Sequence, residues 1–313
     1  MALNIRRYNR GTDEPIWVDV LNAAYREHED WREVSLEEAM LAEKRPGFDP
    51  DGRFIAEAAG KPVGIAHANV DKLRSDGRGF IRFGVVPDYR GRALEQQLIE
   101  MALEELKNRG MTIAQTWTTS QKKDYVQLLE DLGFERVRVF SMMEADLADV
   151  AYSVGENQQV TIRPLRTDVE EDIELLNWLE NESFKEHFNY RPDTLEETRH
   201  HLLNLVFFKE QQIYFAALDG ENVGYVGVGI DEKYNLEKKA QAGEIFSIGV
   251  LKTERRTGVG TRLMLHAFES LKARGMTRAM LGVDDSNPTE AIKLYEKVGF
   301  RVKKKDLIYE RGL

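Results

Sequence analysis

The sequence predicts an α/β (α+β) fold built twice in tandem, each copy a mixed, mostly antiparallel central sheet flanked by about four helices. Three observations predict it. Gly84 of "FGVVPDYRGR" and Gly249 of "IGVLKTERRT" lie 165 residues apart, as do Gly110 of "NRGM" and Gly275 of "ARGM", while Gly133 of "LEDLGFERV" and Gly299 of "YEKVGFRVK" lie 166 apart. So steady a shift marks a duplication whose period is too long for a solenoid. The chain has 313 residues, enough for two domains that each bury a core. Finally, strand-like and helix-like stretches follow one another in the same order in both halves.

Each half opens with a short strand, "LNIRRY" in the first and "VTIRPL" in the second. Helical spacing then covers 14–28 and 35–44, and its counterparts at 168–186 and 194–208. Three strands come next, "RFIAEAAG", "KPVGIAHANV" and "GFIRFGVV", matched by "IYFAALDG", "ENVGYVGVGI" and "AGEIFSIGV". The turns "AAGKP" and "LDGEN" carry the glycine chemistry of tight hairpins. An amphipathic helix runs from there to each RGM, a strand follows ("IAQTWTT", "RAMLGV"), and a last helix leads to GF and the closing strand. The polar stretch "EADLADVAYSVGENQQ" lacks periodicity and serves as the linker, which places the domains at 1–150 and 156–313.

Composition excludes several classes. Hydrophobic residues make up 42% and charged residues 31%, with no apolar run long enough to span a membrane and no signal core at the N-terminus. A cytoplasmic protein without a membrane partner is expected. There is no cysteine, so disulfides, thiolate metal sites and a Cys nucleophile are out. A net charge of −10 argues against nucleic acid as partner. His200 and His201 are adjacent on a helix and diverge, and no carboxylate–histidine cluster has metal spacing, so no metal is expected.

The chemistry concentrates in the second half. There "EIFSIGV" leads through "LKTERR" into "TGVGTRLMLHAFESLKARG", whose Leu263, Ala267 and Leu271 form an apolar stripe. The free N–H groups of a helix start just past a strand end make an anion site. Gly258 and Gly260 let a phosphate approach closely, and Arg255 and Arg256 add positive charge. In "DDSNPTEAIKLYEKVGF", Asn287 suits an N-cap, Pro288 the first helical position, Glu290 the third, and Gly299 the stop. Ala291, Leu294, Tyr295 and Val298 then share a face. Spacing alone leaves Tyr295 open between a core tyrosine and a proton donor.

The R-x-x-G-x-G loop between strand and helix, with GF some forty residues on, resembles the GCN5-related N-acetyltransferases (GNAT), over nearly the whole chain, although the loop is intact only in the second half. The resemblance implies two tandem GNAT-like domains and acetyl-CoA as co-substrate. The loop residues Ile248, Gly249, Val250, Arg255, Arg256, Thr257, Gly258, Val259, Gly260 and Thr261, together with Asn287, would hold it. The pattern N-x-x-x-A-x-x-L-Y-x-x-x-G-F is similar to the family's fourth motif, whose Tyr protonates the departing thiolate; that role would fall to Tyr295. "GEIFSIGV" and the tandem architecture resemble the mycothiol synthase branch and point to Glu244 as the base. Strand alternation sets Glu244 with Phe246, Ile248 and Val250 on one side of the sheet. The segment 181–194 would roof the acceptor, with Phe184, His187 and Tyr190 lining it. This chain has Gly282 where the branch has an acceptor-contacting Tyr.

By the same shifts Gly260 maps onto Glu95, Glu244 onto Gly79 and Tyr295 onto Leu129. The first copy is therefore read as degenerate and non-catalytic, with Arg90, Arg92 and Tyr125 as its remaining polar assets. The expected function is transfer of an acetyl group from acetyl-CoA to the primary amine of a small polar acceptor by direct attack. The alternatives are acetylation of a protein or peptide amine and, in another class, a non-catalytic acyl-CoA sensor.

Overall fold

A computed structural model describes residues 3–91, 93–150, 159–203, 207–208, 210–287 and 289–313. Arg92, Pro288, part of the 194–208 helix and half of the 144–159 linker (151–158) read from the sequence lie outside them.

The chain divides into two compact units, one formed by 1–138 with 306–313 and the other by 139–305. The first unit contains β1 (Leu3–Arg7), α1 (Glu14–Tyr25), α2 (Leu36–Ala42), β2 (Arg53–Ala58), β3 (Lys61–Val70), β4 (Arg78–Val85), α3 (Leu94–Asn108), β5 (Ile113–Thr119) and α4 (Lys123–Asp131). Next comes β6 (Glu135–Asp146), which carries the chain into the second unit. That unit continues with β7 (Thr161–Pro164), α5 (Glu170–Phe184), α6 (Leu195–Leu203), β8 (Glu210–Leu218), β9 (Glu221–Ile230), α7 (Glu232–Lys238), β10 (Ala242–Val250), α8 (Val259–Ala273), β11 (Arg278–Asp284) and α9 (Ala291–Lys297). The last strand, β12 (Arg301–Gly312), ends in the first unit.

The two sheets are built alike. In the first unit the order is β1-β2-β3-β4-β5 and then residues 306–312 of β12; in the second it is β7-β8-β9-β10-β11 and then residues 140–146 of β6. Every pairing is antiparallel except β4 with β5 and β10 with β11. Each copy's closing strand thus completes the other copy's sheet: Leu307 faces Thr118 and Tyr309 faces Thr116, while Met143 faces Leu281 and Ala145 faces Ala279. The division therefore differs from a cut at 150–156. The sequence reading assigned each closing strand to the copy it follows, whereas hydrogen bonding assigns it to the other.

Helices cover both faces of each sheet. In the second unit Val226 and Val228 of β9 pack with Leu263, Ala267, Phe268 and Leu271 of α8. Tyr225 on the other face packs with Ile173, Leu176 and Leu179 of α5. The period of two along β9 produces this division. The start of each first helix is pinned the same way: Arg6 of β1 reaches Asp13 at 2.6 Å, and Arg163 of β7 reaches Asp172 at 2.8 Å. The sequence did not announce α7, whose entry is capped by the Asp231 carboxylate on Tyr234 N–H at 2.9 Å.

Candidate active site

The site begins where two parallel strands part. β10 and β11 pair only at Ala242–Arg278, Gly243–Ala279 and Glu244–Met280. Beyond Glu244 a bulge at Phe246 shifts the register of β10 against β9, since Ile245 faces Val228 and Ser247 faces Gly227. A bulge inserts one residue, bends its strand and re-aims the side chains beyond it. The strands diverge and enclose a cleft of about 700 Å³.

This bulge corrects the alternation read from the sequence. Glu244, Ser247 and Gly249 lie opposite Gly229, Gly227 and Tyr225, on the α5 face. Phe246 shares it, because a Cβ on Gly227 would come within 2.4 Å of its ring. Ile248 and Val250 lie instead with Ile245 on the α8 face. It also corrects the comparison of the copies. Gly79 and Gly243 both sit under a leucine of the long helix, with Cβ positions 2.4 and 2.3 Å from Leu106 and Leu271. They are therefore equivalent, 164 residues apart, and Glu244 corresponds to Phe80 rather than Gly79.

The loop after β10 forms one end of the cleft. Gly258 takes φ +94° as the residue before α8, a left-handed conformation that glycine adopts without penalty. A Cβ on Gly260 would come within 3.3 Å of Leu294, so there the space beside the helix start is kept clear by having no side chain. Arg256 is 82% exposed at the mouth, 3.3 Å from Glu290. Arg255 points inward: its guanidinium donates to the carbonyls of Val250 at 3.2 Å and Ser183 at 3.0 Å and meets Glu186. Arg90 does the same in the first unit, reaching the Val85 and Ala24 carbonyls at 3.0 and 2.6 Å. The shared geometry marks Arg255 as a clamp between loop and α5. Val259 is fully buried in the core, so only its backbone is available to a ligand. The Thr257 hydroxyl is held by the Glu254 carbonyl at 2.7 Å.

The far wall comes from β11 and α9. The helix starts later than its sequence suggests: α9 begins at Ala291, after Glu290 at φ +55°, and Asn287 accepts from the N–H and hydroxyl of Thr289 in a turn before it. Gly299 ends the segment at φ +112°, as expected. Tyr295 is 7% exposed and lines the cleft; burial alone pushes its phenol up to about 12. Phe184 and His187 line it too, with ring centroids 4.3 Å apart. His187 is held below the usual imidazole range, by burial first and then by Arg255.

Of the residues expected from sequence, the cleft gathers Phe184, His187, Ile248, Gly249, Val250, Arg255, Arg256, Gly258, Gly260, Thr261, Asn287 and Tyr295. Tyr190 stands back from it, its hydroxyl 3.4 Å from Asn181 Oδ1. Glu244 is outside the lining: it forms the last pair of β10 and β11, one residue before Ile245, where the β10 lining begins. Burial and then Asp231 push its carboxyl up to about 6. Ser247, Phe246 and Asp284 line the cleft and were not singled out from sequence. The signal for the bulge was available: nine residues run from Ala242 to Val250 where eight run from Arg78 to Val85.

In the first unit the β4–β5 ladder likewise ends after three pairs, at Phe80–Gln115, but among the described residues the gap beyond is nearly closed. Its β4 pairs with β3 without a bulge, and the Thr116 hydroxyl bonds the Ile81 carbonyl at 2.9 Å across the strands that would part. The Tyr25 hydroxyl bonds Phe83 O at 2.7 Å, and a cavity of about 10 Å³ remains. Glu95, in place of Gly260, is 4% exposed and accepts from Gly91 N–H at 3.3 Å, so the helix start holds the protein's own carboxylate. Leu129 is buried where Tyr295 stands: Phe134 N–H bonds its carbonyl as Phe300 N–H bonds that of Tyr295. Among the described residues no group of three His, Asp or Glu side chains is placed to hold a metal, and no helix is long and apolar enough to cross a membrane.

Comparison with known proteins agrees with this geometry. The model of the Acetyltransferase (GNAT) family matches residues 17–134 and again 173–300. A mycothiol acetyltransferase of Acidothermus cellulolyticus is 29% identical over 294 residues, covering 88% of this chain and 85% of that protein. That of Thermomonospora curvata is 29% identical over 145 residues, about half of each protein (46% of this chain and 48% of that one). In structure, a tandem GNAT protein from the clavulanic acid biosynthesis pathway superposes with a TM-score of 0.78 over 99% of this chain and 98% of its own, at 13% identity.

Proposed function

The chain belongs to the acetyltransferase (GNAT) family, and from that premise we propose that its second unit transfers an acetyl group from acetyl-CoA to the primary amine of a small polar acceptor. The carrying observation is the cleft where β10 and β11 part, with a helix start at one end and Tyr295 on a wall, just past Glu244 in the last pair of the two strands. The site fits the co-substrate. Backbone N–H groups at the start of α8 suit a pyrophosphate, and the glycines there leave room for it. Past Glu244, the edge of β10 that faces β11 has no strand partner and is open to an extended amide chain.

The residues then divide the chemistry. An ammonium with a pKa near 10 must lose a proton before its nitrogen can attack the thioester carbon. Glu244, with a pKa of about 6, is ionised at neutral pH and takes that proton, directly or through a water. As the C–N bond forms the C–S bond breaks, and Tyr295 donates to the leaving sulfur. A phenol near 12 facing a thiol near 8.5 makes full transfer uphill by roughly 5 kcal/mol. Tyr295 therefore acts chiefly by a hydrogen bond to the developing thiolate. Acetylation of a peptide amine is the second enzyme reading. A sensor without catalysis would need neither Glu244 nor Tyr295.

Activity should rise with pH through about 6 as Glu244 ionises. Glu244→Gln should remove that limb, lower kcat by about 10²–10⁴-fold at neutral pH and recover in part at high pH, where more amine is free. Rates of thiol release across pH check this. A profile unchanged by the substitution would pass the role of base to His187, which lines the cleft and is held below the usual imidazole range by burial.

A further inference from the structure

Glu180 takes no part in the chemistry above. It lies on α5 one turn before Ser183 and Phe184 and shares their side of the helix; those two line the cleft, and Glu180 stands behind them, outside the lining. The side chain is half-buried by contact with solvent yet deep in the fold. Burial, and then Asp193, push its carboxyl up to about 8. Among the described residues it has no cationic or hydrogen-bonding partner. Its charge reaches Tyr225, whose phenol is held far above its ordinary range by burial and next by Glu180. The Tyr225 and Ser247 hydroxyls share a hydrogen bond of 2.7 Å, and Ser247 lines the cleft. Tyr225 also feels Tyr295, which places Glu180 in the same neighbourhood as the proton donor.

A second observation points into the same space. The Ser183 hydroxyl is 3% exposed, lines the cleft and has no hydrogen-bond partner. A buried hydroxyl and a deep carboxylate, both unpaired and on one helix face, describe a place that lacks its ligand. The ligand's sign follows from the surroundings. Asp193 is the charged neighbour acting on Glu180, so an arriving cation would relieve the cost of ionising it. Glu244 is a separate site: its shift comes from burial and Asp231, with no contribution from Glu180. The face thus offers Glu244, ionised at neutral pH, and further along Glu180, whose carboxyl is mostly protonated there until a cation offsets the cost of ionising it.

We propose that Glu180, with the Ser183 hydroxyl, receives a second cationic group of the acceptor, so that the acceptor is an amine carrying another positive charge a few bonds from the nitrogen acetylated. This rests on the amine-acetylating reading above and narrows its substrate class.

The test compares 1,4-diaminobutane with n-butylamine as acceptors for the full-length protein at neutral pH, in wild type, Glu180→Gln and Glu180→Asp. The wild type is expected to favour the diamine in kcat/KM by about 10- to 100-fold. Glu180→Gln should erase that ratio through KM, with kcat and acetyl-CoA affinity kept, and Glu180→Asp should restore part of it. Equal use of both amines by the wild type overturns the proposal, whether or not the variants fold. So does a preference that survives in Glu180→Gln. Turnover of neither amine, with acetyl-CoA still bound, instead removes the amine-acetylating reading and this proposal with it.

Discussion

Gly260→Glu is expected to lower acetyl-CoA affinity by at least about 100-fold, corresponding to roughly 3 kcal/mol. The substitution gives the second unit the residue the first already carries. In the first unit the Glu95 carboxylate is 4% exposed and bonds Gly91 N–H, so it sits where a phosphate would. At an effective dielectric of about 20, a carboxylate some 5 Å from one phosphate charge costs about 3 kcal/mol by repulsion alone, before any loss of hydrogen bonds. Leu294, 3.3 Å from the new Cβ, must shift a little, and being a flexible side chain it can. Calorimetry with acetyl-CoA measures the effect. The wild type should bind one molecule per chain, because the first unit's counterpart of the cleft, between Phe83 and Tyr125, is a cavity of about 10 Å³. Wild-type affinity in the variant, or two equivalents in the wild type, would remove the loop assignment.

Tyr295→Phe is expected to cut kcat by about 10²–10³-fold, the usual loss for one donor aimed at developing charge. The acetyl-CoA dissociation constant should change little, because the hydroxyl is needed only as sulfur leaves. The fold should tolerate the change: the ring is 7% exposed and packs edge-on against Phe300 at 6.1 Å, which Phe reproduces. A melting temperature near wild type with full loss of turnover would mark the hydroxyl as chemical. Retained turnover would make Tyr295 a core residue and leave thiolate departure to water.

Much of this was legible because the duplication offers internal controls. Gly84 and Gly249, Gly110 and Gly275, Gly133 and Gly299 fixed the repeat, and the strand–loop–helix order around Gly258 pointed to the helix start that lines the cleft. The face of Glu244 was legible from alternation, but the placement of Ile248 and Val250 was not, because one inserted residue at Phe246 reverses parity downstream. The same insertion misaligned Glu244 with Gly79. Arg255 read as a phosphate ligand because charge beside a glycine loop suggests one. Its carbonyl partners on Val250 and Ser183 lie far apart in sequence from each other, and no local pattern reveals them. The start of α9 was placed too early, since Asn287 makes a tight turn from the same bonds it would use as a cap.

The closing strands bear on the order in which a growing chain can fold. Residues 139–305, all of the second unit, are continuous in sequence, whereas β5 must wait for residues 306–312 before its free edge is covered. At about 5–20 residues per second, the interval between synthesis of β5 and of its partner is on the order of ten to forty seconds. During it the first unit's sheet presents an unpaired edge and lacks the buried Tyr309 and Leu307. Birth order and completion order are therefore opposite. The half with the cleft can finish its sheet before the half translated ahead of it, and a ribosome that stalls or terminates near residue 305 would release a complete second sheet tethered to an open first one.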